Sequence, residues 1–149
     1  MNLEETIEVQ ASPEEIWAVI TDIEGAENRI SGINKVEILH QPESGLEGLK
    51  WKETRTMFGK QAEETMWIIE AKAPEFYITE AHNHGMVYKS KMFIRRKEDL
   101  SILGMSFQGE PQTLVARIMA ALSGLFMKKS MHKMIRRDLN ELKAVIEDA

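Results

Sequence analysis

The chain has 149 residues, a net charge of −5, 43% hydrophobic and 29% charged residues, ten methionines and no cysteine. That length and composition predict one folded domain over residues 1–149. They exclude a disulfide scaffold, a thiol nucleophile and a thiolate metal site. No apolar run reaches the roughly 18 residues of a membrane-spanning helix. The acidic, alternating start reads as neither signal nor transit peptide, so a cytoplasmic protein is expected.

In chain order, Leu3, Glu5, Ile7 and Val9 alternate with polar residues and predict a strand. Ser12-Pro13-Glu14-Glu15 then supplies an N-cap, a proline at the first helical position and a capping-box glutamate. The helix runs to about Asp22, with Ile16, Val19 and Ile20 on its buried side. Ile23–Gly32 reads as a short connector. Six strands follow, near Ile33–His40, Leu49–Phe58, Gln61–Ala71, Phe76–Asn83, Met86–Arg96 and Leu100–Gly109. They are separated by Pro42 and Gly45, Gly59, Pro74, Gly85 and Glu98-Asp99. After Pro111 the period turns helical. Thr113–Leu122 is apolar almost all round, and Ser123-Gly124 is expected to break it. From Leu125 to Ile146 a second stripe carries Met127, Met131, Met134, Leu142 and Val145. At about 100° per residue, Val115, Ile118 and Leu122 fall nearly opposite Met127, Met131 and Met134. One straight helix cannot bury both sets against one surface.

Residues 112–149 carry a net +3, leaving −8 on the first 111 residues. An acidic body argues against nucleic acid as a partner.

A two-residue Gly59-Lys60 turn with glycine first predicts a type II′ hairpin. It pairs Phe58 with Gln61, Arg55 with Glu64, Glu53 with Met66 and Trp51 with Ile68. One face then holds Trp51, Glu53, Arg55, Met57, Ala62, Glu64, Met66 and Ile68, and being the more apolar it is placed inward. Met86, Tyr88, Ser90, Met92 and Ile94, and Leu103, Met105 and Phe107, are placed inward by the same logic. Phe76–Asn83 has balanced faces. Interior charges are costly unless paired or wet. Glu53, Arg55 and Glu64 therefore read either as a polar patch at one end of a ligand cavity or as ordinary cross-strand pairs.

The order of elements resembles the SRPBCC superfamily, the START-like, helix-grip proteins that include polyketide cyclase/dehydrase-type members. The resemblance rests on Val9-Gln10-Ala11-Ser12-Pro13-Glu14-Glu15-Ile16-Trp17, on Ser31-Gly32-Ile33, and on the run from Trp51 to Lys60. Phe107-Gln108-Gly109-Glu110-Pro111 and Arg137-Asp138-Leu139-Asn140-Glu141-Leu142-Lys143 extend it over essentially the whole chain. It implies an α+β helix-grip fold, with a seven-stranded curved antiparallel sheet around a long C-terminal helix and short helices after the first strand. It also implies a cavity between sheet and helix that takes lipids, quinones, polyketides or other apolar molecules. The superfamily has no universal catalytic motif, so no catalytic residue is carried over. Ala26-Glu27-Asn28-Arg29 departs from the aromatic-rich segment of many relatives.

The expected ligand-contacting set is Trp51, Glu53, Arg55, Glu64, Met66, Tyr88, Met92, Met105, Phe107, Met127, Met131 and Met134. Methionine is flexible and polarizable, so such a face suits varied apolar ligands; core filling is the plainer reading of the residues alone, and the resemblance shifts it toward a cavity. His82 and His84 have no third ligand at sensible spacing, and no metal or cofactor is expected. Ser90, Ser101, Ser106, Ser123 and Ser130 lie in no nucleophile elbow. The basic run Lys128–Arg137, with His132, is either a solvated helix face or a surface that touches an anionic membrane without inserting stably. Three readings stay open: a carrier of a small hydrophobic ligand, an enzyme transferring protons through Glu53, Arg55 and Glu64, and a partner-binding protein docking through Thr113–Leu122. The oligomeric state is not legible.

Overall fold

The computed structural model describes residues 2–57 and 59–148, with the side chains of 123–126 outside the description. Strand β1 (Asn2–Val9) leads into helix α1 (Pro13–Ile20) and a 3-10 turn over Glu24–Asn28. Strands β2 (Ile33–His40), β3 (Lys50–Met57), β4 (Lys60–Lys72), β5 (Phe76–Asn83), β6 (Met86–Lys97) and β7 (Leu100–Pro111) follow, and helix α2 (Leu114–Glu147) closes the chain. All seven strands form one antiparallel sheet in the order β1-β7-β6-β5-β4-β3-β2. This is the expected α+β helix-grip architecture.

Local chemistry sets the element ends. The Ser12 side chain accepts from the Glu15 N–H while the Glu15 carboxylate accepts from the Ser12 N–H, so the capping box is complete. Thr113 caps α2 by accepting from the Ala116 N–H at 3.0 Å. Register shifts leave an extra residue at Asn34, Leu39 and Ile69. Such bulges bend the strands that carry them.

Two expectations are corrected. The first is the hairpin register. Met57 pairs with Lys60, Arg55 with Ala62, Glu53 with Glu64 and Trp51 with Met66. Gly59 is therefore second in the turn, at φ +79°, where its lack of a Cβ is needed. Phe58, expected opposite Gln61, lies outside the described residues. A shift of two residues preserves which side chains share a face, so the inward assignment stands. The second is the expected break at Ser123-Gly124, because α2 runs as one 34-residue helix. The phase conflict is resolved differently. Met131, Ile135, Leu139, Leu142 and Ile146 are buried, whereas Leu114, Val115, Ile118 and Leu122 stay exposed. A rigid helix keeps its phase, so only one of the two stripes reaches the sheet.

The core lies between the concave sheet face and the C-terminal part of α2. Ile16, Ile68, Leu103, Ile135 and Leu139 are fully buried there. Each contributes on the order of 1.5–3 kcal/mol. Tyr77, Thr79 and Ala81 show that β5 turns this face inward too. Polar contacts tie down the C-terminal turns of α2. Glu147 accepts from the Gln10 N–H at 2.8 Å, Lys143 donates to the Glu8 carbonyl at 2.7 Å, and Glu141 accepts from both Ser31 groups.

Candidate functional site

The polar residues of the inner face divide into two groups. In the first, Arg55 on β3 donates from Nε to Glu53 at 3.2 Å and from Nη1 to Asp138 of α2 at 2.8 Å. Trp51 Nε1 donates to the other Glu53 oxygen at 3.4 Å. All three charged side chains are at most 15% exposed, so this is a sheet-to-helix clamp inside the fold. Gly32 makes room for it: a Cβ there would crowd the guanidinium groups of Arg55 and Arg137. Burial works against ionisation of both partners. For Asp138 it outweighs the attraction of Arg55 and raises the carboxyl above its ordinary range. For Arg55 the two carboxylates overcome burial and hold the proton more tightly. Asp138 Oδ1 is buried without a hydrogen bond, and Arg137 Nη2 lies 3.9 Å from it.

The expectation that Arg55 lies opposite Glu64 is therefore overturned. Arg55 faces Ala62 and Glu64 faces Glu53, because the hairpin turns one residue earlier than expected. Asp138 was absent from the expected set. It nevertheless lies three and four residues from Ile135 and Leu142, on the apolar stripe of α2. A carboxylate in that phase has to meet a buried cation.

The second group lies toward the β3–β4 and β5–β6 turns. Glu64 on β4 accepts from Asn83 Nδ2 at 3.0 Å. Burial raises its carboxyl above the usual glutamate range, against the pull of Asn83 and His84. Two strands from Glu64, on β6, the Tyr88 ring stacks on Phe107 with centroids 5.6 Å apart. Burial and the nearby Glu64 charge push the Tyr88 phenol up. Met66, Met105 and Met134 pack against the core beside these groups and remain partly open, as does Met127. Trp51, Met92 and Met131 instead lie buried in the core. The inner face is thus sealed at the α1 end and partly open at the other.

Other candidates have structural partners. The Ser101 hydroxyl donates to the Ala11 carbonyl at 2.8 Å. His82 packs edge-on against Trp67, 3.7 Å from Glu80. Among the described residues, no three His, Asp or Glu side chains gather as a metal site, and no helix is long and apolar enough to cross a membrane. Arg29, in the segment that departs from the relatives, pairs with Asp22 at 2.9 Å. Two open grooves, of about 450 and 900 Å³, run along the outward side of α2. The larger is lined by Glu5, Lys128, Lys129, His132, Lys133 and Arg136.

A curved seven-stranded sheet holding a long C-terminal helix, with a partly open apolar face between them, defines a START-like helix-grip protein. Solved structures share this fold. A START superfamily protein from Mycobacterium smegmatis is 17% identical, with a TM-score of 0.81 over 99% of this chain and 97% of that one. TTHA0849 from Thermus thermophilus is 13% identical, with a TM-score of 0.81 over 98% and 97%. The Zhui aromatase/cyclase from Streptomyces sp. R1128 is 15% identical, with a TM-score of 0.75 over 99% and 93%. No curated protein sequence matches. The chain belongs to the family described as polyketide cyclase / dehydrase and lipid transport, whose model matches residues 1–147.

Proposed function

We propose that the protein binds a small hydrophobic molecule carrying one polar group, between the sheet and α2. The observation that carries this reading is the half-open apolar surface of Met66, Tyr88, Met105, Phe107 and Met134 with Glu64 at its edge. A face that only filled a core would be closed along its whole length. The Tyr88–Phe107 pair offers a flat aromatic wall, and the methionines adapt to ligand shape. Glu64 is a hydrogen-bond donor when protonated and an acceptor when ionised, so it suits a hydroxyl or carbonyl on the ligand. Glu53 and Arg55 serve the reading indirectly, by fixing α2 over the sheet. Such a carrier would work in the cytoplasm, the setting expected from the sequence.

Native mass spectrometry of freshly purified protein tests this, together with titration by an apolar fluorescent probe. A co-purified apolar molecule, and probe binding that Phe107→Ala and Tyr88→Ala weaken about tenfold, are expected. Protein that is repeatedly empty and binds no probe would refute the reading.

One observation favours an enzymatic alternative of the cyclase/dehydratase kind. Glu64 is a partly desolvated carboxyl with a raised proton affinity, which suits a general acid. Under that alternative Glu64→Gln abolishes turnover of a polyketide-like substrate. Under the carrier reading it leaves apolar binding largely intact.

A further inference from the structure

Helix α2 carries one outward face whose character changes along its length. Leu114, Val115, Ile118 and Leu122 are 73%, 72%, 52% and 79% exposed. Eighteen residues make about five helical turns, so Val115 lies on the same side as Lys133, and Ile118 on the same side as Arg136. Lys129 falls between them. Lys128, Lys129 and Lys133 are exposed, and among the described residues no ion pair engages them. The same cations line the 900 Å³ groove, where the Glu5 carboxylate is already held by His132 at 2.7 Å and Arg136 at 2.8 Å. An exposed apolar tip is thus followed, on one side of the helix, by three lysines that no ion pair among the described residues engages.

We infer that this face of α2 docks on the surface of an anionic lipid bilayer. Leu114, Val115, Ile118 and Leu122 enter the headgroup boundary, and Lys128, Lys129 and Lys133 meet the anionic headgroups. Charge complementarity selects this occupant. The first 111 residues carry −8 and residues 112–149 carry +3, so an anionic surface repels the body and attracts the helix. That fixes the orientation. A second copy is a poorer occupant, because pairing two such faces sets lysines against lysines or against the apolar tip. The inference does not depend on a cargo in the cleft. Docking and probe binding are separate measurements and fail separately.

Co-sedimentation of the full chain with phosphatidylcholine vesicles, with and without phosphatidylglycerol, is the test. Partition is expected to be about tenfold stronger on the anionic vesicles at low salt and to weaken as salt rises. Ile118→Glu with Leu122→Glu should abolish it. Lys129→Glu with Lys133→Glu should remove the preference for anionic lipid. Both pairs are exposed, and an unchanged thermal melt confirms that the variants fold. Absence of partition onto anionic vesicles, or equal partition onto both kinds, overturns the inference. So does a dimer in sedimentation velocity that Ile118→Glu with Leu122→Glu dissociates.

Discussion

Arg55 of β3 and Asp138 of α2 meet across the sheet–helix interface, 2.8 Å apart and both largely buried. They are 83 residues apart in the chain, so their contact joins the two halves of the grip. Removing Asp138 takes one of two carboxylates from a buried guanidinium and leaves it with Glu53 alone. Asp138→Ala is expected to lower unfolding free energy by about 3 kcal/mol, read from the urea midpoint. The triple change Glu53→Gln, Arg55→Met, Asp138→Leu should recover most of that loss. A triple variant as unstable as the single one would show that the ions contribute net stability.

The raised carboxyl of Glu64 gives a pH dependence of defined sign. The folded state holds this proton more tightly than the unfolded chain. The resulting stability is present below the unfolded value and is lost as pH rises through the folded one. Glu64→Gln should therefore gain on the parent as pH rises above the ordinary glutamate range, about pH 4. Urea midpoints of both proteins across that rise provide the check, and a constant difference would contradict it.

Glu5 behaves in the opposite way. The hydrogen bond from Arg136, opposed by burial and aided by His132, holds its carboxyl below the usual range. Its stabilisation is present above the unfolded value and disappears as pH falls through the folded one. Glu5→Gln should be less stable than the parent at neutral pH and converge with it in acid. The same denaturation series measures this, with a slope of opposite sign to that of Glu64→Gln.

Gly104 on β7 faces Phe93 on β6, and a Cβ there would overlap the Phe93 ring. Gly104→Ala is expected to cost about 1–3 kcal/mol through this overpacking. Adding Phe93→Leu should return part of the loss, a coupling that a double-mutant cycle measures. Additive losses would mean that the ring is not what the methyl group meets.

Much of this protein was legible one residue at a time. Alternation, the Ser12–Glu15 capping box and the Pro and Gly breaks placed seven strands and the first helix, because each signal acts within a few residues. Period two also placed Met66, Met92, Met105 and Phe107 inward, and this survived a two-residue error in register. Pairing was harder. Whether Gly59 stands first or second in its turn depends on contacts along the whole hairpin, and that choice moved Arg55 from Glu64 to Ala62. The apolar start of α2 was legible as a phase conflict. That it stays exposed on an unbroken helix follows from the fixed phase, which buries Ala116 and turns Val115, Ile118 and Leu122 away.

Chain-local patterning thus determined the run of strands and helices, the inward face of most strands and the excess of methionine on it, and the resemblance supplied the helix-grip fold. Tertiary structure alone decided which charges became a clamp and which stayed at the open edge. The reason is physical. Hydrophobic periodicity is a property of one segment, whereas the partner of a buried ion is set by how two distant segments approach, as Arg55 and Asp138 do.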